Sequence, residues 1–129
     1  MCRMSNAVVV CGADVAKLTR LAHDLVDRLD PLGPLLLRKL ERADVHEADK
    51  VAASSVSLDS FATYRLLDSD RTERRRLILP QDSMWPPAEL SVASPLGIAL
   101  LGVSARDRVR VEGTGMQEPP WVEVLNVEG

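Results

Sequence analysis

Asp27 and Asp30 stand three residues apart at the end of the first amphipathic stretch of the chain. On a helix that spacing puts both carboxylates on one face, and paired carboxylate oxygens suit a hard divalent cation such as magnesium. A plainer reading competes with it. Arg28 lies between the two, Asp30 precedes Pro31 as turn-forming aspartates do, and a surface pair of this kind is usually solvated. The solvated pair is the expectation, with no catalytic residue, bound metal or other cofactor.

The second constellation is a loop. In LSVASPLGIALLG, Leu90 to Gly102, Leu90 and Val92 alternate with Ser91 as a half-buried strand does, and Ser94 stands directly before Pro95. A serine followed by proline is the pattern of an N-cap hydroxyl and a first helical residue. Leu96, Ala99 and Leu100 then fall on one helix face, and Gly102 is placed to end the helix in a left-handed conformation. Ala93, Ser94 and Pro95, with Leu96 behind them, are therefore predicted to form a loop held rigidly on both sides.

Other reactive residues offer less. His23 and His46 have no neighbouring nucleophile pattern, and Cys2 and Cys11 have no ligand-type spacing, so free thiols and no zinc site are expected. Gly113-Thr114-Gly115 lacks the lysine and helix of a phosphate loop and reads as a turn. Arg71, Arg74, Arg75 and Arg76 form a basic cluster that Glu73 and Asp70 interrupt, which suits a decorated hairpin better than a docking stripe. Aromatic residues are 3% of the chain, too few and too scattered for the ring-walled cavity of a prolyl isomerase.

These residues need elements to hold them. Asn6 to Cys11 reads as a β-branched strand, Gly12 as its break, and Asp14 as the cap of a helix to Leu29. Val15, Leu18, Ala22, Leu25 and Leu29 form its seam. Asp30-Pro31-Leu32-Gly33-Pro34 forces a tight turn, and Leu35 to Asp44 resumes the helical pattern, giving an antiparallel hairpin. Val45 to Ser54 reads as a linker, with a boundary near Lys50 between an arm, residues 1–50, and a second unit, residues 51–129. In that unit Ser55 to Leu58, Ala62 to Leu67, Glu73 to Leu79, Leu90 to Val92, Arg108 to Glu112 and Trp121 to Val127 have strand character. The fold class predicted is α+β: a short helical hairpin, then an antiparallel sheet with one short helix starting at Pro95.

The formal net charge is -3 and the pI about 5.4, which argues against bare nucleic acid as main partner. The apolar run Ala7 to Cys11 is too short for a signal core or membrane span, so a cytoplasmic protein without membrane contact is expected; a monomer is the expected state, though no residue pattern reports it.

SVASPLGIALLG resembles the motif in the carboxy-terminal domain of the bacterial Gre transcript-cleavage factors and of their relative, the regulator of nucleoside diphosphate kinase. The resemblance runs on through Asp107, Val109 and Val111 to Trp121, Val122, Glu123, Val124 and Leu125, and covers roughly Ser55 to Glu128. It implies an FKBP-like second unit behind a coiled-coil arm, and RNA polymerase as partner. It further implies that the loop at Ala93, Ser94 and Pro95 grips the β′ coiled-coil tip at the rim of the secondary channel, so that contact with nucleic acid is indirect at most. In Gre factors two acidic residues at the arm tip hold magnesium in the polymerase active centre, and Asp27 and Asp30 are the residues here that could match them. Two departures stand out. Asp14 to Leu29 is sixteen residues, about 24 Å of helix, several turns shorter than a Gre arm. Ala93 stands where Gre factors commonly carry an acid before the serine, and the kinase-regulator branch lacks that acid too. The resemblance therefore favours a polymerase-binding competitor of Gre factors that does not stimulate cleavage. An active cleavage factor, or an interaction domain without polymerase binding, are the alternatives.

Overall fold

A helix of period 3.6 needs one apolar stripe, and the first helix supplies it with Leu18, Ala22 and Leu25, all buried. The structure is a computed structural model that describes residues 8–46, 55–67 and 69–128. It begins with β1 (Val9–Cys11) and α1 (Gly12–Asp27), then α2 (Leu32–Arg42) and β2 (Asp44–His46). After these come β3 (Phe61–Leu66), β4 (Arg71–Ile78), β5 (Glu89–Ser91), α3 (Pro95–Leu100), β6 (Arg108–Arg110) and β7 (Trp121–Glu128). The expected boundary near Lys50 lies outside the described residues, as does most of the expected linker.

The helical hairpin is present, with its details shifted from the sequence reading. Asp14 is not the cap: α1 starts at Gly12 after an extended Cys11 that makes no side-chain cap bond. Asp14 sits in the first turn, where a carboxylate favours the helix dipole, and its Oδ2 accepts a hydrogen bond from the Leu58 amide at 3.3 Å. Partial burial raises its pKa above the usual carboxylate value. Leu29 is not on the seam. It follows the helix with φ 62° and is 90% exposed. The Leu29 amide donates to Val26 O and the Asp30 amide to Leu25 O, the paired bonds that close a helix around a left-handed residue. α2 begins at Leu32, three residues before the expected start, because Pro34 falls in the first turn, where amides have no helical acceptor to lose.

The main sheet has the order β5-β4-β3-β7-β6. Its pairings are antiparallel apart from β4 with β5, which run parallel. That corrects the expected wholly antiparallel sheet. The cause is the segment from Leu79 to Ala88, whose two 3-10 turns, Pro80–Asp82 and Pro86–Ala88, carry the chain back before β5 starts. Ser55 to Leu58 is not a strand: it joins Gly102 to Ser104 through an isolated bridge from Ser55 to Ser104 and backbone hydrogen bonds of Val56 with Gly102 and Val103. Val45, read as linker, belongs to β2, which pairs parallel with β1.

Along β3, Ala62 and Tyr64 are buried while Phe61, Thr63 and Arg65 are half-exposed, the alternation of a strand with one face on the core. Val10, Leu18, Ala22 and Leu36 belong to the same apolar cluster as Tyr64, Leu77, Val92, Leu100, Val122 and Val124. The inner face of the hairpin is thus packed into the core that the sheet and α3 build. Truncating Leu18 or Leu36, each 0% exposed, to alanine costs about 2–5 kcal/mol. Among the described residues no helix is long and apolar enough to cross a membrane.

Candidate functional site: the loop before the short helix

The loop between β5 and α3 is fixed by a closed set of local hydrogen bonds. Ser94 takes the extended conformation of an N-cap, and its Oγ accepts from the Gly97 amide at 3.0 Å. The same hydroxyl donates to Ser91 O at 2.6 Å, so its proton and one of its two lone pairs are used inside the chain. Ser91 Oγ accepts from the Ala93 amide at 3.0 Å, and the Val92 amide donates to Ile78 O at 2.9 Å. Pro95 occupies the first helical position, as its spacing predicts.

Packing reinforces these bonds. A Cβ on Gly97 would lie 2.1 Å from Ser91 O, so only glycine lets α3 sit this close to β5. At the other end Gly102 has φ 78° and ends the helix as expected. Lys39, reaching in from α2, donates from Nζ to Ile98 O at 2.5 Å and to Ala99 O at 2.7 Å, satisfying carbonyls of the last turn of α3. Burial pulls the Lys39 pKa down to about 7, against the opposing pull of Glu112. Ala93, Ser94, Pro95 and Leu96 remain half-exposed on this rigid frame. Leu96 also packs against the core, while the Ser94 hydroxyl caps α3 and ties it to Ser91.

The arm tip does not have the geometry that the metal-binding reading of Asp27 and Asp30 requires. Asp27 is the last residue of α1 and exposed, but the chain reverses at Leu29 before Asp30 is reached. Asp30 is therefore off the helix, and the shared helical face on which the metal-binding reading rests does not exist. The Asp30 Oδ1 accepts from the Leu32 amide at 2.9 Å, which opens α2. Among the described residues no three His, Cys, Asp or Glu side chains converge as a metal site.

The arginine cluster on β4 is largely neutralised. Arg71 and Arg75 both reach Glu73 at 3.3 Å, Arg76 reaches Asp59 at 3.3 Å, and Arg74 pairs with Glu128 while lying 4.1 Å over the Phe61 ring. A different basic group, unremarked in the sequence, gathers where α2 faces β6: Arg38 and Arg42 from one, Arg108 and Arg110 from the other. The helical spacing of Arg38 and Arg42 and the alternation in Arg108-Val109-Arg110 are visible in the sequence, but their meeting is a product of the fold.

Comparison with known proteins follows this geometry. The family model for the carboxy-terminal domain of the transcription elongation factors GreA/GreB matches residues 51–128. Transcription elongation factor GreA of Thermotoga neapolitana is 35% identical over 88 residues, 67% of this chain and 56% of that protein. The chain thus spans about half the length of that relative. The regulator of nucleoside diphosphate kinase of Escherichia coli is 29% identical over 98 residues, 76% of this chain and 71% of that protein. A GreA/GreB elongation factor from Nitrosomonas europaea superposes with a TM-score of 0.75 over 97% of this chain and all of that one, at 22% identity, a likeness of fold.

Proposed function

The chain belongs to the GreA/GreB family through its carboxy-terminal domain, and from that premise we propose that it regulates transcription by binding RNA polymerase. It docks at the rim of the secondary channel through Ala93, Pro95 and Leu96, and competes there with Gre-type factors without stimulating transcript cleavage. The observation that carries the reading is the prebuilt loop. Its backbone is fixed by Ser91, Ser94 and Gly97 before any partner arrives, so little conformational entropy is lost on docking.

The arm supports the second half of the proposal. α1 has sixteen residues, about 24 Å of helix at 1.5 Å per residue. Catalysis by a metal-holding tip needs carboxylate oxygens within about 2 Å of magnesium, whereas a competitor needs only to occupy the channel mouth. Asp30 is engaged with the Leu32 amide and does not share a helix face with Asp27. The likeness to the regulator of nucleoside diphosphate kinase over 71% of that protein, against 56% for the Thermotoga GreA, favours the shorter branch.

The test is an RNA-cleavage assay on stalled elongation complexes. The expected result is no cleavage with the protein alone, and concentration-dependent inhibition of Gre-stimulated cleavage that survives Asp27→Asn with Asp30→Asn. Cleavage stimulated by this protein alone and abolished by that pair of substitutions overturns the reading.

A further inference from the structure

A cleft of about 470 Å³ opens between α2, α3 and β6, within the few-hundred-Å³ range of small-molecule sites. Its charge is out of keeping with the chain. The whole protein carries a formal charge of -3, yet five basic side chains line the cleft against one carboxylate, Glu112; of the five, Lys39 is already bonded to the Ile98 and Ala99 carbonyls, which leaves four arginines. Three of the five, Arg38, Lys39 and Arg42, come from one stripe of α2, where like charges at four-residue spacing repel. The helix dipole offsets part of that repulsion in the last turn of α2. It has no bearing on Arg108 and Arg110, which β6 brings to the same opening.

These cations differ from the arginines of β4, which have carboxylate partners. Among the described residues Arg38, Arg42 and Arg110 have no carboxylate within ion-pair distance. The nearest acidic oxygen to Arg108, on Glu123, is 3.9 Å away and is held more closely by Arg65 at 2.8 Å. The remaining walls are not polar. Ile98 and Ala99 make an apolar floor, and Trp121 stands at one side, 43% exposed, with the Arg110 guanidinium 5.0 Å from its ring centroid.

Unspent guanidinium groups around a bounded opening suit phosphate oxygens, which they bind in forked pairs. An exposed indole beside an apolar floor suits a planar ring. We propose that this cleft binds a small phosphorylated ligand of the nucleotide class, its phosphates on Arg38, Arg42 and Arg108 and its base against Trp121 and Arg110. Pro95 also lines the cleft, so a ligand there touches α3 and one residue of the segment 93–96. An acidic peptide would meet the cations but would leave the indole and the apolar floor without a matching group.

The test uses the isolated chain without polymerase, so its failure leaves the polymerase reading untouched. Trp85, 66% exposed, is first changed to Phe, leaving Trp121 as the single indole of the two in the chain. Quenching of Trp121 and calorimetry then follow titration with ATP, adenosine, inorganic phosphate and an acidic hexapeptide. ATP should bind saturably and at least tenfold tighter than the other three. Arg38→Gln with Arg110→Gln should weaken it at least tenfold, and Arg28→Gln with Arg71→Gln should leave it unchanged. If the first pair lowers the melting temperature, Arg42→Gln alone carries the comparison. No saturable ATP signal, equal binding of adenosine, tighter binding of the peptide, or equal loss in the control pair overturns the proposal.

Discussion

Gly97→Ala probes the close approach that holds the segment 93–96 in shape. The added Cβ would lie 2.1 Å from Ser91 O and 2.8 Å from Val92 Cα, and both are backbone atoms that cannot rotate aside. Relieving the overlap requires α3 to move away from β5 by about 1 Å, since interiors are packed without slack. That motion lengthens the 2.6 Å bond from Ser94 Oγ to Ser91 O and opens space beside Val92 and Leu100, which are 0% and 1% exposed. Overpacking ordinarily costs about 1–3 kcal/mol, and a clash against two backbone atoms belongs at the upper end. The expected loss is about 3 kcal/mol, equivalent to a fall in melting temperature on the order of 10 °C. Urea unfolding followed by circular dichroism measures it. A loss below about 1 kcal/mol would show that α3 and β5 are not in backbone contact, and the rigid-loop argument would go with it.

Ser94→Ala should lower stability by about 1 kcal/mol, the usual loss for an N-cap hydroxyl, and a neutral result in the same unfolding assay would mean that the hydroxyl does not cap α3. Leu29→Gly should raise stability by about 0.5–1 kcal/mol, because a left-handed leucine is strained and its exposed side chain loses nothing; a drop would mean that the tip differs. Lys39 gives a pH dependence with a defined sign. Its pKa is about 7 in the fold and about 10.4 in the unfolded chain, so between these values the unfolded state holds more protons and stability rises with pH. Urea midpoints at pH 7 and pH 9 should therefore differ in that direction, and Lys39→Met should shrink the difference; an unchanged difference in the variant refutes the assignment.

Local chemistry made the loop legible. Ser94 before Pro95 and the glycine at 102 are signals within a few residues, and all three positions take the conformations those signals dictate. The helical hairpin was equally readable because Leu18, Ala22 and Leu25 recur at helical spacing. Its ends were not. Leu29 continues the apolar period, and nothing in an exposed leucine announces a left-handed residue. Asp14 looked like a cap because aspartate favours that position, but its carboxylate answers to Leu58, forty-four residues away. The parallel register of β5 on β4 depends on where two 3-10 turns return the chain, which alternation of apolar residues cannot report. The basic cleft was hidden for the same reason, since its cations come from residues about seventy positions apart. The arginines of β4 are legible in the sequence because they are adjacent, but Glu73 beside them and Asp59 and Glu128 from elsewhere in the fold leave them paired.

The central claim is that the loop 93–96 is the polymerase contact, and equilibrium titration of labelled protein onto core RNA polymerase tests it most directly. Wild-type protein should bind saturably, be displaced by a Gre factor, and lose at least tenfold in affinity, about 1.4 kcal/mol, when Ala93 is changed to Arg at unchanged melting temperature. Binding that Ala93→Arg leaves intact, or that persists while a Gre factor occupies the same polymerase, would contradict the account.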